Sequence, residues 1–147
     1  MSEEKKMDWK AGKNTHENII FSCFGGLSNT GITSAQASME AVEELGLDKA
    51  AIGCLPAVSQ ELSSVLGKIN ASEDIVTVDG CPKECARKTI ESAGFEVSTS
   101  ITLVEDIDMD KKPLHKDIGT NDLKSITEYI SQEEVEEAKK VIVEAIE

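Results

Sequence analysis

The fold class this sequence predicts is a three-layer α/β domain, with a mostly parallel sheet of about four strands between helices on both faces. Three observations carry it. Short aliphatic runs (NIIFSC, AAIGC, DIVTV and VSTSITLV) alternate with segments of helical periodicity, the βαβα pattern of right-handed crossovers and a parallel sheet. Hydrophobic residues make up 39% of the chain and aromatic residues only 3%. The core is therefore assembled from Ile, Val, Leu and Ala, the composition of strands covered on both faces. At 147 residues the chain holds one domain with a real core and has no room for two of ordinary size.

Taken in order, residues 1–17 are polar apart from Trp9 and read as a mobile arm, ahead of a single domain over 18–147. A strand over 18–23 leads through FGGLSNTG into a helix near 32–46. Ile32, Ala35, Met39, Val42 and Leu45 mark that helix's apolar face, and Gly46 is its stop. A strand over 50–54 precedes Pro56 and a helix striped by Val58, Leu62, Val65, Leu66 and Ile69. A third strand, 74–78, precedes Pro82 and a helix carrying Ala86, Ile90 and Ala93, closed by Gly94. The fourth strand falls at about 97–104. Beyond a charged loop, Leu123, Ile126 and Ile130 line a short amphipathic segment, with an edge strand over ITEYI as the other reading. Ser131 and Glu134 then form a capping-box pattern for a last helix facing inward through Val135, Ala138, Ile142 and Ala145.

The formal net charge of −13 speaks against nucleic acid as a partner, because phosphate backbones are bound by clustered Lys and Arg. It equally disfavours anionic membranes. The N-terminus lacks the apolar stretch of a signal peptide and no run is long enough to span a bilayer, so the expected location is cytoplasmic. Thiols stay reduced there, and a set of cysteines points to metal or redox chemistry rather than to structural disulfides.

Three cysteines close aliphatic strands: Cys23, Cys54 and, after DIVTVDG, Cys81; Cys85 lies one helical turn further on. Parallel strands end on one edge, where open α/β proteins bind ligands at the point of strand-order reversal. In a flavodoxin-like or Rossmann-like order 2-1-3-4, Cys23 sits centrally with Cys54 and Cys81 on either side. Neighbouring strands lie about 4.8 Å apart, and the sulfurs of a tetrahedral zinc site about 3.8 Å apart, so side chains at adjacent strand ends span the difference. Helices starting just beyond each strand end favour thiolates through their dipoles, with Pro56 and Pro82 at first-turn positions. Lys83 and Arg87 offset the negative charge of such a centre.

The expected ligand set is Cys23, Cys54, Cys81 and Cys85 around Zn2+, in a structural, sensing or transfer role. Four thiolates also suit iron or an iron–sulfur cluster. A full thiolate shell leaves no open position for water, which argues against hydrolysis. Whether the chain is an enzyme stays open. In a thiol-dependent oxidoreductase or sulfur-transfer enzyme, Cys81 would be the nucleophile and Cys85 its resolving partner. In a partner-binding module, the acidic last helix would be the working surface. Buried cysteines that merely pack are the plain alternative to all of these.

The surrounding residues have plainer uses. Asp79 could orient a ligand, stabilise the turn or bond the free N–H groups of the next helix, and Gly80 is read as supplying an unusual backbone angle. CFGGLSNTG resembles the anion loop of low-molecular-weight phosphotyrosine phosphatases and arsenate reductases, but the Arg that would pair the oxyanion is missing. A tight turn that aims Cys23 at the cluster is the simpler use of Gly25 and Gly26. His16 and His115 read as surface residues, with His115 the reserve ligand.

At these residues the chain resembles the DGC family, named for its Asp-Gly-Cys motif, here Asp79-Gly80-Cys81 within DGCPKECARK. FSCFGGLSNTG and AAIGCLPA carry the rest of the resemblance, which covers roughly residues 18–118. It implies four zinc-binding cysteines, falling on Cys23, Cys54, Cys81 and Cys85, and it implies no established activity.

Overall fold

The computed structural model describes residues 16–26, 28–112 and 126–147. The arm expected over 1–17, except its last two residues, lies outside them, as do Leu123 and His115. Four strands, β1 (Asn18–Ser22), β2 (Ala50–Ile52), β3 (Asp74–Asp79) and β4 (Thr99–Thr102), form one sheet in the order β2-β1-β3-β4. Every pairing is parallel, with Ile20 opposite both Ile52 and Val76, and Val78 opposite Ile101. Both the expected α/β class and the expected strand order are present. Among the described residues no helix is long and apolar enough to cross a membrane.

Alternation along the central strands divides the core in two. Ile20, Val76, Val78 and Ile101 pack under α1 (Asn29–Leu45) and the last helix, α6 (Gln132–Ile146). Ile19, Phe21 and Ile75 pack under α2 (Leu55–Ser59), α3 (Ser63–Ala71) and α4 (Cys85–Ser92) through Val58, Leu66, Ile69 and Ile90.

Helix α1 keeps part of the face read from hydrophobicity, with Ile32 buried and Val42 and Leu45 against the core, and corrects the rest. Its buried residues include Thr30, Thr33, Ser34, Ala37, Ser38 and Ala41, while Met39 is 46% exposed. Small side chains let the helix sit close between the sheet and α6. Their hydroxyls are largely satisfied inside: Ser34 Oγ donates to the Val78 carbonyl at 3.0 Å and Ser38 Oγ to the Ser34 carbonyl at 2.8 Å. Burial of serine costs little once it is bonded, and a hydrophobic pattern does not register it.

The stripe read as one helix after β2 is two, α2 and α3. Glu61 takes a left-handed φ of 55° at the break and leaves Leu62 48% exposed. The fourth strand is shorter than expected, because Leu103 and Val104 turn into α5 (Leu103–Asp106), where Asp106 Oδ2 accepts the Thr102 N–H at 2.7 Å. ITEYI contains a 3-10 turn, Ile126–Tyr129, rather than an edge strand.

Helix α6 buries Val135, Ala138, Ile142, Val143 and Ile146, not Ala145. Ile146 lies about three turns beyond Val135 at 3.6 residues per turn, so the helical period selects it. Ser131 caps the helix, its Oγ accepting the Glu134 N–H at 3.4 Å. Ser131→Ala is expected to lower stability by about 1 kcal/mol, read as a small fall in urea midpoint; an unchanged midpoint would show that this long cap bond contributes nothing.

Candidate metal centre

Cys23 directly follows β1, its N–H donating to the Val78 carbonyl at 2.9 Å, so the end of β3 fixes its backbone. Gly25, with a φ of 74°, turns the chain immediately after it, a conformation open to glycine. Cys81 lies two residues beyond β3, and Cys85 is the first residue of α4. The three line one cavity of about 320 Å³, together with Gly25, Gly26, Ser28, Thr30, Gly31, Gly80, Lys83 and Lys111. Cys23 and Cys81 are half-buried, Cys85 exposed.

Cys54 stands apart. It caps α2 at the end of the neighbouring edge strand, is exposed, and is not among the residues lining the cavity. The topology thus gathers Cys23, Cys81 and Cys85 and leaves Cys54 on the same sheet edge but outside the cavity. As the side chains stand, no group of three or more His, Cys, Asp or Glu among the described residues is set to hold an ion directly.

Asp79 and Gly80 have definite structural tasks. Asp79 is buried, and its two carboxylate oxygens accept the N–H groups of Ala86 at 2.8 Å and Arg87 at 3.2 Å. It therefore caps α4 from the end of β3, supplying acceptors for N–H groups that a helix start leaves unpaired. Burial pushes its carboxyl above the usual range, and the two backbone bonds pull the other way.

Gly80 does not have the unusual backbone angle expected of it, since its φ is not positive. What it provides is space: a Cβ there would stand 2.6 Å from the carbonyl carbon of Thr30. At Gly31 a Cβ would meet the Phe24 carbonyl oxygen at 2.3 Å. The Cys23 loop, the first turn of α1 and the Cys81 turn thus touch backbone to backbone.

Burial also raises the Cys23 thiol, with the Gly25 N–H bond to its sulfur lowering it and the charges of Asp79, Cys85 and Cys81 raising it further. Pro82 sits in the turn before α4 rather than in its first turn, so Cys81 is not at a helix start; Pro56 does occupy the first turn of α2. Arg87 is bound elsewhere, at 2.9 Å from Glu84 and 3.2 Å from Glu91. Among the described residues the cavity's cations are Lys83 and Lys111.

Lys111 was not legible as a site residue. It reaches the cavity because Asn29 clamps its segment: the side-chain amide donates to the Asp110 carbonyl at 2.8 Å and accepts the Lys112 N–H at 2.6 Å. The Asn29 N–H adds a bond to the Lys112 carbonyl at 3.3 Å. The partners are separated by 81 and 83 positions, and no local motif announces such a pairing. The imidazole of His16 donates to the Leu47 carbonyl, and His16 does not line the cavity.

The family model of the DGC domain matches residues 19–142, a span that includes all four cysteines. No curated protein and no solved structure matches the chain.

Proposed function

Given that the chain belongs to the DGC-domain family, we propose that it binds a metal ion, zinc, through Cys23, Cys81 and Cys85, with Cys54 as the fourth donor from the neighbouring strand. The observation that carries this reading is the convergence of three thiols from the ends of β1 and β3 and the start of α4 on one cavity. The donor set fits in kind: among the described lining residues the donors are sulfur without carboxylate or imidazole, which suits zinc or iron rather than magnesium or calcium. Closing on an ion requires side-chain rotation at Cys23, Cys81 and Cys85, which border open space, and a further approach by exposed Cys54. When bound, zinc would cross-link the loop after β1 to the turn after β3. The protein's own part is to hold these segments together, through the Gly31–Phe24 and Gly80–Thr30 contacts, and to start α4 at Cys85 through Asp79.

The test is elemental analysis with an absorption spectrum on anaerobically purified protein. About one zinc per chain in a colourless sample is the expected result; stoichiometric iron with visible absorption would replace zinc in the proposal. Serine at Cys23, Cys81 or Cys85 is expected to remove the metal, and Cys54→Ser to weaken its binding without abolishing it. A metal-free, normally folded wild type that forms a reversible Cys81–Cys85 disulfide would overturn the metal reading in favour of thiol redox chemistry.

A further inference from the structure

The charge of the thiol cavity is opposite to that of the chain around it. Asp and Glu number 28 against 15 Lys and Arg, yet among the described residues the cavity lining contains Lys83 and Lys111 and no carboxylate. Among the described residues neither lysine takes part in an ion pair. Among the described residues the buried carboxylate nearby, Asp79, is occupied by the Ala86 and Arg87 N–H groups. Lys111 is not there by chance of a loose loop, because Asn29 fixes the backbone on both sides of it. The glycines of the rim keep the lining free of side chains at Gly25, Gly26 and Gly31.

We propose that this cavity receives a small anion, a carboxylate or an oxyanion, held between Lys83 and Lys111 beside the thiols, with Asn29 as the residue that positions Lys111. The proposal deepens the reading of the cavity as the functional site, but it does not require zinc. An approaching anion meets a cavity lined by two lysines, whose low-dielectric walls would concentrate the field of their ammonium groups. Lysine ammonium groups act as point charges and accept either geometry of anion. Salt weakens the effect over a Debye length of roughly 8 Å at physiological ionic strength.

The test compares alkylation of the reduced, metal-free full-length chain by iodoacetate, which is anionic, and iodoacetamide, which is neutral. Mass spectrometry reads each cysteine separately, and Cys54, outside the cavity, is the internal reference. The iodoacetate-to-iodoacetamide rate ratio at Cys23, Cys81 and Cys85 is expected to exceed that at Cys54 by roughly fivefold at low salt. It should fall to the Cys54 value in Lys83→Met/Lys111→Met and part of the way in Asn29→Ala. Inorganic phosphate and acetate, added separately as competitors, distinguish an oxyanion from a carboxylate occupant. Equal ratios at all four cysteines, or ratios unmoved by the double substitution, would overturn the proposal. If metal removal unfolds the chain, as circular dichroism reports, the reading moves to the as-purified protein. There line broadening of inorganic phosphate (31P) or of 13C-labelled acetate, lost in the double variant, supports the proposal, and broadening of neither overturns it. Metal analysis on the same sample is a separate readout, so failure of the anion site and failure of the zinc proposal are told apart.

Discussion

Asp79→Ala is expected to lower stability by roughly 3 kcal/mol, the loss of two charge-assisted bonds to the start of a helix. The estimate rests on the burial of Asp79 and on its bonds of 2.8 and 3.2 Å to Ala86 and Arg87. Without the carboxylate, two N–H groups at the head of α4 lose their partners, and one of them, on Ala86, is buried. Urea denaturation gives the magnitude. Hydrogen exchange gives the location: the Ala86 and Arg87 amides should exchange faster while β1 and β3 keep their protection. Asp79→Asn is the sharper comparison, since its amide retains one acceptor and turns a donor toward the second N–H, so it should fall between wild type and alanine. An alanine variant within about 0.5 kcal/mol of wild type, the ordinary range of a surface change, would refute the capping role. In the metal proposal the same substitution loosens Cys85, the first residue of α4.

Gly80→Ala is expected to cost a similar amount, roughly 3 kcal/mol, at the upper end of the usual range for overpacking. Its added methyl would lie 2.6 Å from the Thr30 carbonyl carbon, 2.8 Å from the Thr30 oxygen and 2.9 Å from the Gly31 nitrogen. All three are backbone atoms of the first turn of α1, so no rotamer change relieves the clash. Either α1 moves out or the turn carrying Cys81 moves away from Cys23. The measurement is a thermal melt, expected to fall by roughly 6–12 °C for a domain of this size. Gly46→Ala is the contrast: nothing lies near its would-be Cβ, and its cost comes from a φ of 90° instead. A Gly80→Ala melt within a degree or two of wild type would show that the two backbones separate freely.

These two residues show where reading the sequence stopped. That Asp79 and Gly80 matter was visible from their place between a strand and a pair of cysteines, and bonding of the next helix was among the roles considered for Asp79. For Gly80 the wrong property was expected. A tight approach by a segment about fifty positions earlier leaves no trace in local sequence, whereas an unusual φ has a local signature. The faces of α1 and α6 were legible in part, through Ile32 in α1 and Val135, Ala138 and Ile142 in α6. In α1 the rest of the buried stripe is Ser, Thr and Ala, with Ser34 and Ser38 bonded to carbonyls inside and the Thr33 hydroxyl left without a partner among the described residues. In α6 the face was extended by one residue too few, to Ala145 instead of Ile146.

Local periodicity and composition settled the class of fold and the parallel sheet, while the strand order 2-1-3-4 came from analogy with flavodoxin-like folds and is present in the structure. Alternation between period-two and period-3.6 segments admits few other arrangements, and crossover handedness prunes the remainder. Which cysteines share a cavity was decided only by packing. Cys23, Cys81 and Cys85 meet because Gly31 and Gly80 let three backbones touch, and Lys111 joins them because Asn29 holds a distant segment. Such contacts depend on the shapes of surfaces that exist only once the chain has folded.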